Sequence, residues 1–249
     1  MSTVEGLHGP VADIGAPEAD LDASTDRYAR RFSGPAGRWL LARQTRILRE
    51  LIAPWPRSRV LDVGGGHGQV AAPLREDGHA VHVHASSARA LGRAAGVPGV
   101  EFGWGSLTDL PHPDRSFDVV TSFRILAHVG DWERLLAEAC RVARHAVIVD
   151  FPAPGGFNLL EPVLFGLKRR IEGDTRRYVS LSRAEVSACA RSHGFAHRHE
   201  IGQFVLPMVL HRKLARPAVS DRLERTLRAA GLGDRAGSPV IARITREAM

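Results

Sequence analysis

At 249 residues, with 44% apolar and 6% aromatic residues, the chain is long enough for one large domain or two small ones. No run of about 18 uninterrupted apolar residues occurs, which argues against a transmembrane helix, and the opening Met1-Ser2-Thr3-Val4-Glu5 lacks the basic stretch and apolar core of a secretion signal. The formal charge of +7 is uneven: residues 1–150 hold 17 Lys+Arg against 18 Asp+Glu, and residues 151–249 hold 17 against 9.

Residues 1–24 mix Gly, Pro, Ala and acids without period and read as a mobile tail. With no repeat and no strong linker beyond it, residues 25–249 are expected to form one domain. A helix is predicted over about 36–53, with Leu40, Leu41, Ile47, Leu48, Leu51 and Ile52 on one side and Pro54 and Pro56 as the stop. Strands and helices then alternate. Strands are predicted at 60–63, 80–84, 100–104, 117–121 and 146–150. Helices are predicted after the glycines through Leu74, around 88–95, and over 131–143 with Asp131 as N-cap. Next come a helical stretch near 157–171, and a helix opened by the capping box Ser182-Arg183-Ala184-Glu185 and closed by Gly194. Two late strands, about 199–206 and 239–245, flank a helix capped by Ser220. This alternation argues for an α/β fold with a parallel sheet covered by helices on both faces.

Asp62-Val63-Gly64-Gly65-Gly66-His67-Gly68 follows the first strand. A strand ending in an acid, then four glycines opening a helix, presents backbone N–H groups that a ligand can approach closely. A tight turn without a ligand is the plain alternative. A dinucleotide fingerprint fails on spacing: its last glycine would fall at Gln69, not at Gly68.

The stretch resembles motif I of the class I S-adenosylmethionine-dependent methyltransferases, an acid followed by G-x-G-x-G. Asp109-Leu110-Pro111-His112-Pro113-Asp114-Arg115-Ser116-Phe117-Asp118-Val119-Val120 is similar to a block of the small-molecule, ubiquinone-biosynthesis-like (type 11) group. So is Leu126-Ala127-His128-Val129 with the run from Asp131 to Arg144; the likeness covers about 59–152. It implies a Rossmann-like seven-stranded sheet with its last strand antiparallel, and methyl transfer from S-adenosylmethionine to a small-molecule acceptor. By the same likeness Asp62 would sit below the methionine end of the cofactor. Gly64, Gly65, Gly66 and Gly68 would let it pass over the turn, and Phe123 would offer it backbone. Two family acids are replaced. His84 stands where an acid usually grips the ribose, with Ser86 or Ser87 as substitutes, and Ser106, beside Leu107, stands where an acid usually meets the adenine. The competing reading is a repurposed fold that binds an adenosine-type ligand without methyl transfer; a dehydrogenase comes third.

In this fold the acceptor pocket lies beyond the carboxyl ends of the fourth and fifth strands. His128 is the first candidate base, or else a histidine packing its turn. Asp150 is the second, or else an acceptor for a loop N–H. Arg124 suits an acceptor carboxylate or phosphate, or else an ion pair. Residues 153–180 read as a helical lid in which Asn158, Arg176 and Tyr178 are candidate acceptor contacts. Phe204–Arg212 is apolar and ends in basic residues, so it either packs a late strand or lines a pocket for a lipid-like or anionic acceptor. Nucleic acid is not expected, since no block of five like charges occurs and aromatics are few in the basic part. His82/His84 and His197/His199 share strand faces at i, i+2, but the sequence shows no third ligand, so no metal is expected. Cys140 and Cys189 fall in amphipathic helices and read as buried thiols in a reducing cytoplasm.

Overall fold

The computed structural model describes residues 19–154 and 179–247. Seven strands form one sheet: β1 Arg59–Val63, β2 Ala80–Ala85, β3 Glu101–Trp104, β4 Phe117–Ser122, β5 Ala143–Phe151, β6 Phe195–Phe204 and β7 Ser238–Arg246. Their order is β3-β2-β1-β4-β5-β7-β6. β1 pairs in parallel with β2 and β4, β2 with β3, and β4 with β5, whereas β7 runs antiparallel to both β5 and β6. The central strands carry apolar residues toward both faces, as a sheet covered on two sides requires. Leu61, Val63, Phe117, Val120 and Val147 pack on one face; Val60, Val81, Val83, Val119 and Ile148 pack on the other.

The principal helices are α1 Gly34–Ile52, α2 Ala71–Glu76, α3 Trp132–Val142, α4 Arg183–Ser192, α5 Met208–Leu214 and α6 Pro217–Ala229. Leu40, Ile47, Leu48, Leu51 and Ile52 are the buried apolar stripe of α1. Asp131 accepts from Arg134 N–H at 3.3 Å to start α3, and the reciprocal Ser182–Glu185 capping box starts α4. Ser220 is not a cap. Pro217 opens α6 three residues earlier, since its fixed φ and missing N–H suit the first helical turn, and Ser220 is buried inside the helix. β6 also begins earlier than expected, directly after Gly194 closes α4 with φ +76. Among the described residues no helix is long and apolar enough to cross a membrane.

Residues 19–24, within the expected tail, are folded. A 3-10 turn spans Asp22–Ser24, and Ala19, Asp20, Ala23 and Ser24 are buried. Of the expected lid, residues 155–178 lie outside the described residues, and with them Asn158, Arg176, Tyr178 and the helix near 157–171. Its flanks are anchored at the sheet's carboxyl end: Val179 N–H donates to Ala127 O at 2.9 Å and Leu181 N–H to Pro152 O at 3.1 Å.

Candidate functional site

The chain leaves β1 toward β2 on one side and reaches β4 on the other, so the crevice above the carboxyl ends of β1 and β4 is the switch point of the sheet. The glycine turn sits there. Gly64 and Gly68 have φ of +72 and +70, a left-handed backbone that side chains disfavour. Gly64 N–H donates to His84 O at 2.8 Å, which ties the turn to the end of β2.

Asp62 lies beneath this turn with no exposed surface. Thr121 Oγ1 donates to its Oδ1 at 2.9 Å, while Oδ2 has no hydrogen-bond partner. A Cβ added at Gly65 would stand 1.9 Å from that Oδ2, so only glycine lets the turn close over the acid. Burial pushes the Asp62 carboxyl up to about 7, with the Thr121 hydrogen bond opposing the rise. Asp62 therefore carries an unmet demand for a donor or a proton.

The outer face of the turn is covered by the protein itself. Residues 88–96 form two 3-10 turns joined at a kink, where Gly92 has φ +43. Ala94 N–H from this segment donates to Gly66 O at 2.9 Å. A Cβ at Gly66 would lie 1.6 Å from Ala90 O and 2.4 Å from Ser24 Oγ, and one at Gly92 would lie 2.7 Å from Ser24 O. The 19–24 segment is held down by Asp20, whose carboxylate accepts from Ser86 N–H at 2.9 Å and from the Ser86 hydroxyl. Asp20 thus brings a carboxylate to the tip of β2, where the strand itself ends in His84-Ala85.

On its far side the turn borders an open cleft of about 610 Å³. His67, Gly68 and Gln69 line one wall, and Arg30, Phe32 and Arg93 line others. His67 is buried; its Nδ1 accepts from Gln69 N–H at 3.1 Å, and its Nε2 lies 3.4 Å from Phe123 O. Burial, joined by the nearby Arg124 charge, lowers its pKa to about 3, so the ring is neutral, with Nε2 carrying the proton. Arg124 has a left-handed backbone, φ +64, which is costly for a residue with a side chain. That twist aims its N–H at Asp150 Oδ1. Its guanidinium donates to the side-chain carbonyls of Gln69 and Gln44 and lies 4.1 Å from the Phe32 ring centroid. Asp150, buried at the end of β5, is raised to about 6 by burial, against the Arg124 N–H bond and charge.

The crevice brings together Asp62, Gly64, Gly65, Gly66, Gly68, Phe123, Arg124 and Asp150. Asp150 acts as the acceptor of a loop N–H, and Arg124 is already engaged by two amides. His128 is half-buried in the 3-10 turn Leu126–His128 that follows β4. Ser86 is held by Asp20, and Ser106, exposed, accepts from Thr108 N–H at 3.2 Å. Leu107 is buried in the core beside them. His84 is fully buried with neither ring nitrogen hydrogen-bonded. Five residues escaped the sequence reading: Asp20, Ser24, Gln44, His67 and Gln69. A histidine and a glutamine within and just after the glycine motif were the available signal for two of them. Nothing in the sequence tied Asp20 or Ser24 to a turn some forty residues away.

A family profile described as a methyltransferase domain matches residues 61–149. A glycine/sarcosine/dimethylglycine N-methyltransferase of Actinopolyspora halophila is 30% identical over 146 residues, 55% of this chain and 23% of the relative. A demethylmenaquinone methyltransferase of Renibacterium salmoninarum is 31% identical over 150 residues, 55% of this chain and 63% of the relative. The chain thus spans less than two thirds of the length of either. The fold matches the crystal structure of an S-adenosylmethionine-dependent methyltransferase, a possible histamine N-methyltransferase, from Thermotoga maritima. The TM-score is 0.61 at 21% identity, over 93% of this chain and 100% of that one. Residues 61–149 thus match a methyltransferase domain, and the sheet around them has the fold of a solved S-adenosylmethionine-dependent methyltransferase.

Proposed function

We propose that this chain, as one domain that takes in residues 19–24 besides the expected 25–249, transfers a methyl group from S-adenosylmethionine to a small-molecule acceptor. The observation that carries the reading is Asp62: a buried carboxyl oxygen without a partner, under a glycine turn, at the switch point of the sheet. That oxygen suits an ammonium group or its bound water, as the amino-acid end of the cofactor would supply. The floor of the site fits the cofactor; Ser24 and Ala90 must move off Gly66 before a ligand can lie against it.

When bound, S-adenosylmethionine supplies a methyl on a sulfonium centre, open to in-line attack. Asp62, the glycine turn and the Phe123 backbone would hold its amino-acid end. Ser86 and the Asp20 carboxylate would serve the ribose in place of the family acid, and Ser106 the adenine. Residues 153–180 would cover the acceptor. Asp150 is suited to take the acceptor's proton, because a carboxyl raised to about 6 by burial is mostly ionised at neutral pH yet binds a proton better than an ordinary aspartate. His128 is the alternative base. The excess of 17 Lys+Arg over 9 Asp+Glu in residues 151–249 favours an anionic acceptor, or a lipid-like one with an anionic end.

The test is titration calorimetry with S-adenosylhomocysteine. Saturable binding that weakens at least about tenfold in Asp62→Ala supports the reading; no heat at about 1 mM ligand overturns it. The second reading, a fold that binds an adenosine-type ligand without methyl transfer, is favoured by the cover over Gly66 and by the loss of the acid at His84. Binding of the ligand with no transfer of labelled methyl to any acceptor tried would favour it.

A further inference from the structure

A third histidine joins the pair on β2. His82 and His84 project from one face of that strand, and His112 enters from the loop between β3 and β4. One nitrogen from each lies within 4.8 Å of the others. We propose that His82, His84 and His112 form a binding site for a divalent transition-metal ion, of which zinc is the best match.

Four nitrogens in this cluster are buried without hydrogen-bond partners: His82 Nε2, both nitrogens of His84, and His112 Nε2. His84 is fully buried. The backbone of Ser106 and Gly105 lies close enough to favour a proton on its ring, but neither meets hydrogen-bond geometry. Buried polar atoms are nearly always satisfied, so several unmet nitrogens facing one point ask for a shared partner. Gly103 on β3 leaves the room. A Cβ there would stand 3.0 Å from His82 Nε2 and 3.4 Å from His84 Nδ1.

The ring arrangement suits a common centre. Imidazoles bound tetrahedrally to an ion about 2.1 Å from each nitrogen have ring centroids about 5 Å apart. The His112 centroid lies 5.1 Å from that of His82 and 5.5 Å from that of His84, at interplanar angles of 84° and 78°. Modest side-chain movement would draw the nitrogens in. Burial, the largest cause for each ring, lowers all three pKa values, that of His112 to about 4, so the lone pairs are available at neutral pH. Glu101 Oε2 stands 3.6 Å from His82 Nδ1, the outer position from which a carboxylate orients a ligating imidazole. Of the two neighbouring cations, Arg141 is neutralised by Glu138 and Asp114 at 2.7 and 2.8 Å, and Arg59 lies over the Phe117 ring at 4.8 Å. Three neutral imidazoles select zinc, copper, nickel or cobalt over magnesium or calcium. His82 and His112 keep part of their surface in solvent, which leaves an entry path and a fourth position for water.

Packing alone would explain the rings if their nitrogens bound nothing, since His112 also meets Phe117 edge-on at 5.0 Å. The two roles separate in one experiment on the untagged full chain, stripped with chelator and titrated with cobalt(II), then with zinc(II) in competition. The expected result is one cobalt per chain, with visible absorption of a four- or five-coordinate ion that zinc abolishes. His112→Phe preserves a ring against Phe117 and should weaken zinc at least about 100-fold, while Glu101→Gln, at the exposed rim, should weaken it about tenfold. Unchanged circular dichroism in these variants rules out unfolding as the cause; should His112→Phe not fold, Glu101→Gln carries the test. No stoichiometric absorption, or absorption unaltered in the folded variants, overturns the proposal.

Discussion

Asp62 carries a penalty that pH can switch. Its carboxyl rises from 3.8 to about 7 because burial disfavours the charge more than the Thr121 hydrogen bond supports it. The folded chain therefore holds a proton that the unfolded chain releases between those two values, and stability falls as pH rises through that window. At 1.36 kcal/mol per pH unit, the cost is about 1.5 kcal/mol at pH 5 and levels off near 4 kcal/mol above pH 7. Asp62→Asn keeps the acceptor for Thr121 and removes the titration. The amide nitrogen's own cost is the same at both pH values and cancels in the comparison. The stability of Asp62→Asn relative to the wild type should therefore rise by about 2.5 kcal/mol between pH 5 and pH 8. Urea unfolding of both proteins at the two pH values measures this directly. A change below about 0.5 kcal/mol, or one of opposite sign, would refute the view that a desolvated, partnerless carboxyl lies under the turn.

Three further outcomes test the surrounding structure. Gly66→Ala drives a methyl into the Ala90 carbonyl, a backbone atom 1.6 Å from its ideal position; it should cost about 1–3 kcal/mol, seen as a lower melting temperature. Asp20→Ala removes both bonds from Ser86, and should lift residues 19–24, raising tryptic cleavage at Arg27, Arg30 and Arg31 about a hundredfold as the opening free energy falls by about 3 kcal/mol, about 1.5 kcal/mol for each bond. Glu224, buried, would be pushed up by that burial, but His211 and the N–H groups of Leu206 and Val205 hold its pKa below the usual carboxylate value of 4.5. Its contribution is complete above that value and is lost as pH falls below it, so Glu224→Gln should cost about 2 kcal/mol at pH 7 and less at pH 4 in urea unfolding.

The alternation of strands and helices, the capping box and the glycine turn were legible because each is written in neighbouring residues. Ser220 misled because serine is a good cap, while Pro217 three residues earlier is a stronger start signal. The cover over the turn was not legible. Asp20 meets Ser86 across 66 positions, and no local pattern encodes such a contact. His112 shows the same limit from the other side. The strand period placed His82 and His84 together, but the third ring arrives by a loop whose path depends on how β3 and β4 sit in the sheet. The absence of an acid at His84 and at Ser106 was plain from the residues. That an acid from the amino-terminal segment reaches the same strand tip was not.

The contacts over Gly66 make ligand affinity a two-part quantity. A molecule that lies against this glycine binds only the fraction of chains in which residues 19–24 and the Ala90 carbonyl have both moved off it, so its apparent dissociation constant is the intrinsic one divided by that fraction. If the two bonds to the Asp20 carboxylate contribute about 1.5 kcal/mol each, the open fraction is at most about one per cent and the apparent affinity at least about a hundredfold weaker than the open site would give. By linkage, a bound ligand of this kind holds the amino-terminal segment open to the same degree. Occupancy of the glycine turn would then be readable as faster tryptic cleavage after Arg27, Arg30 and Arg31.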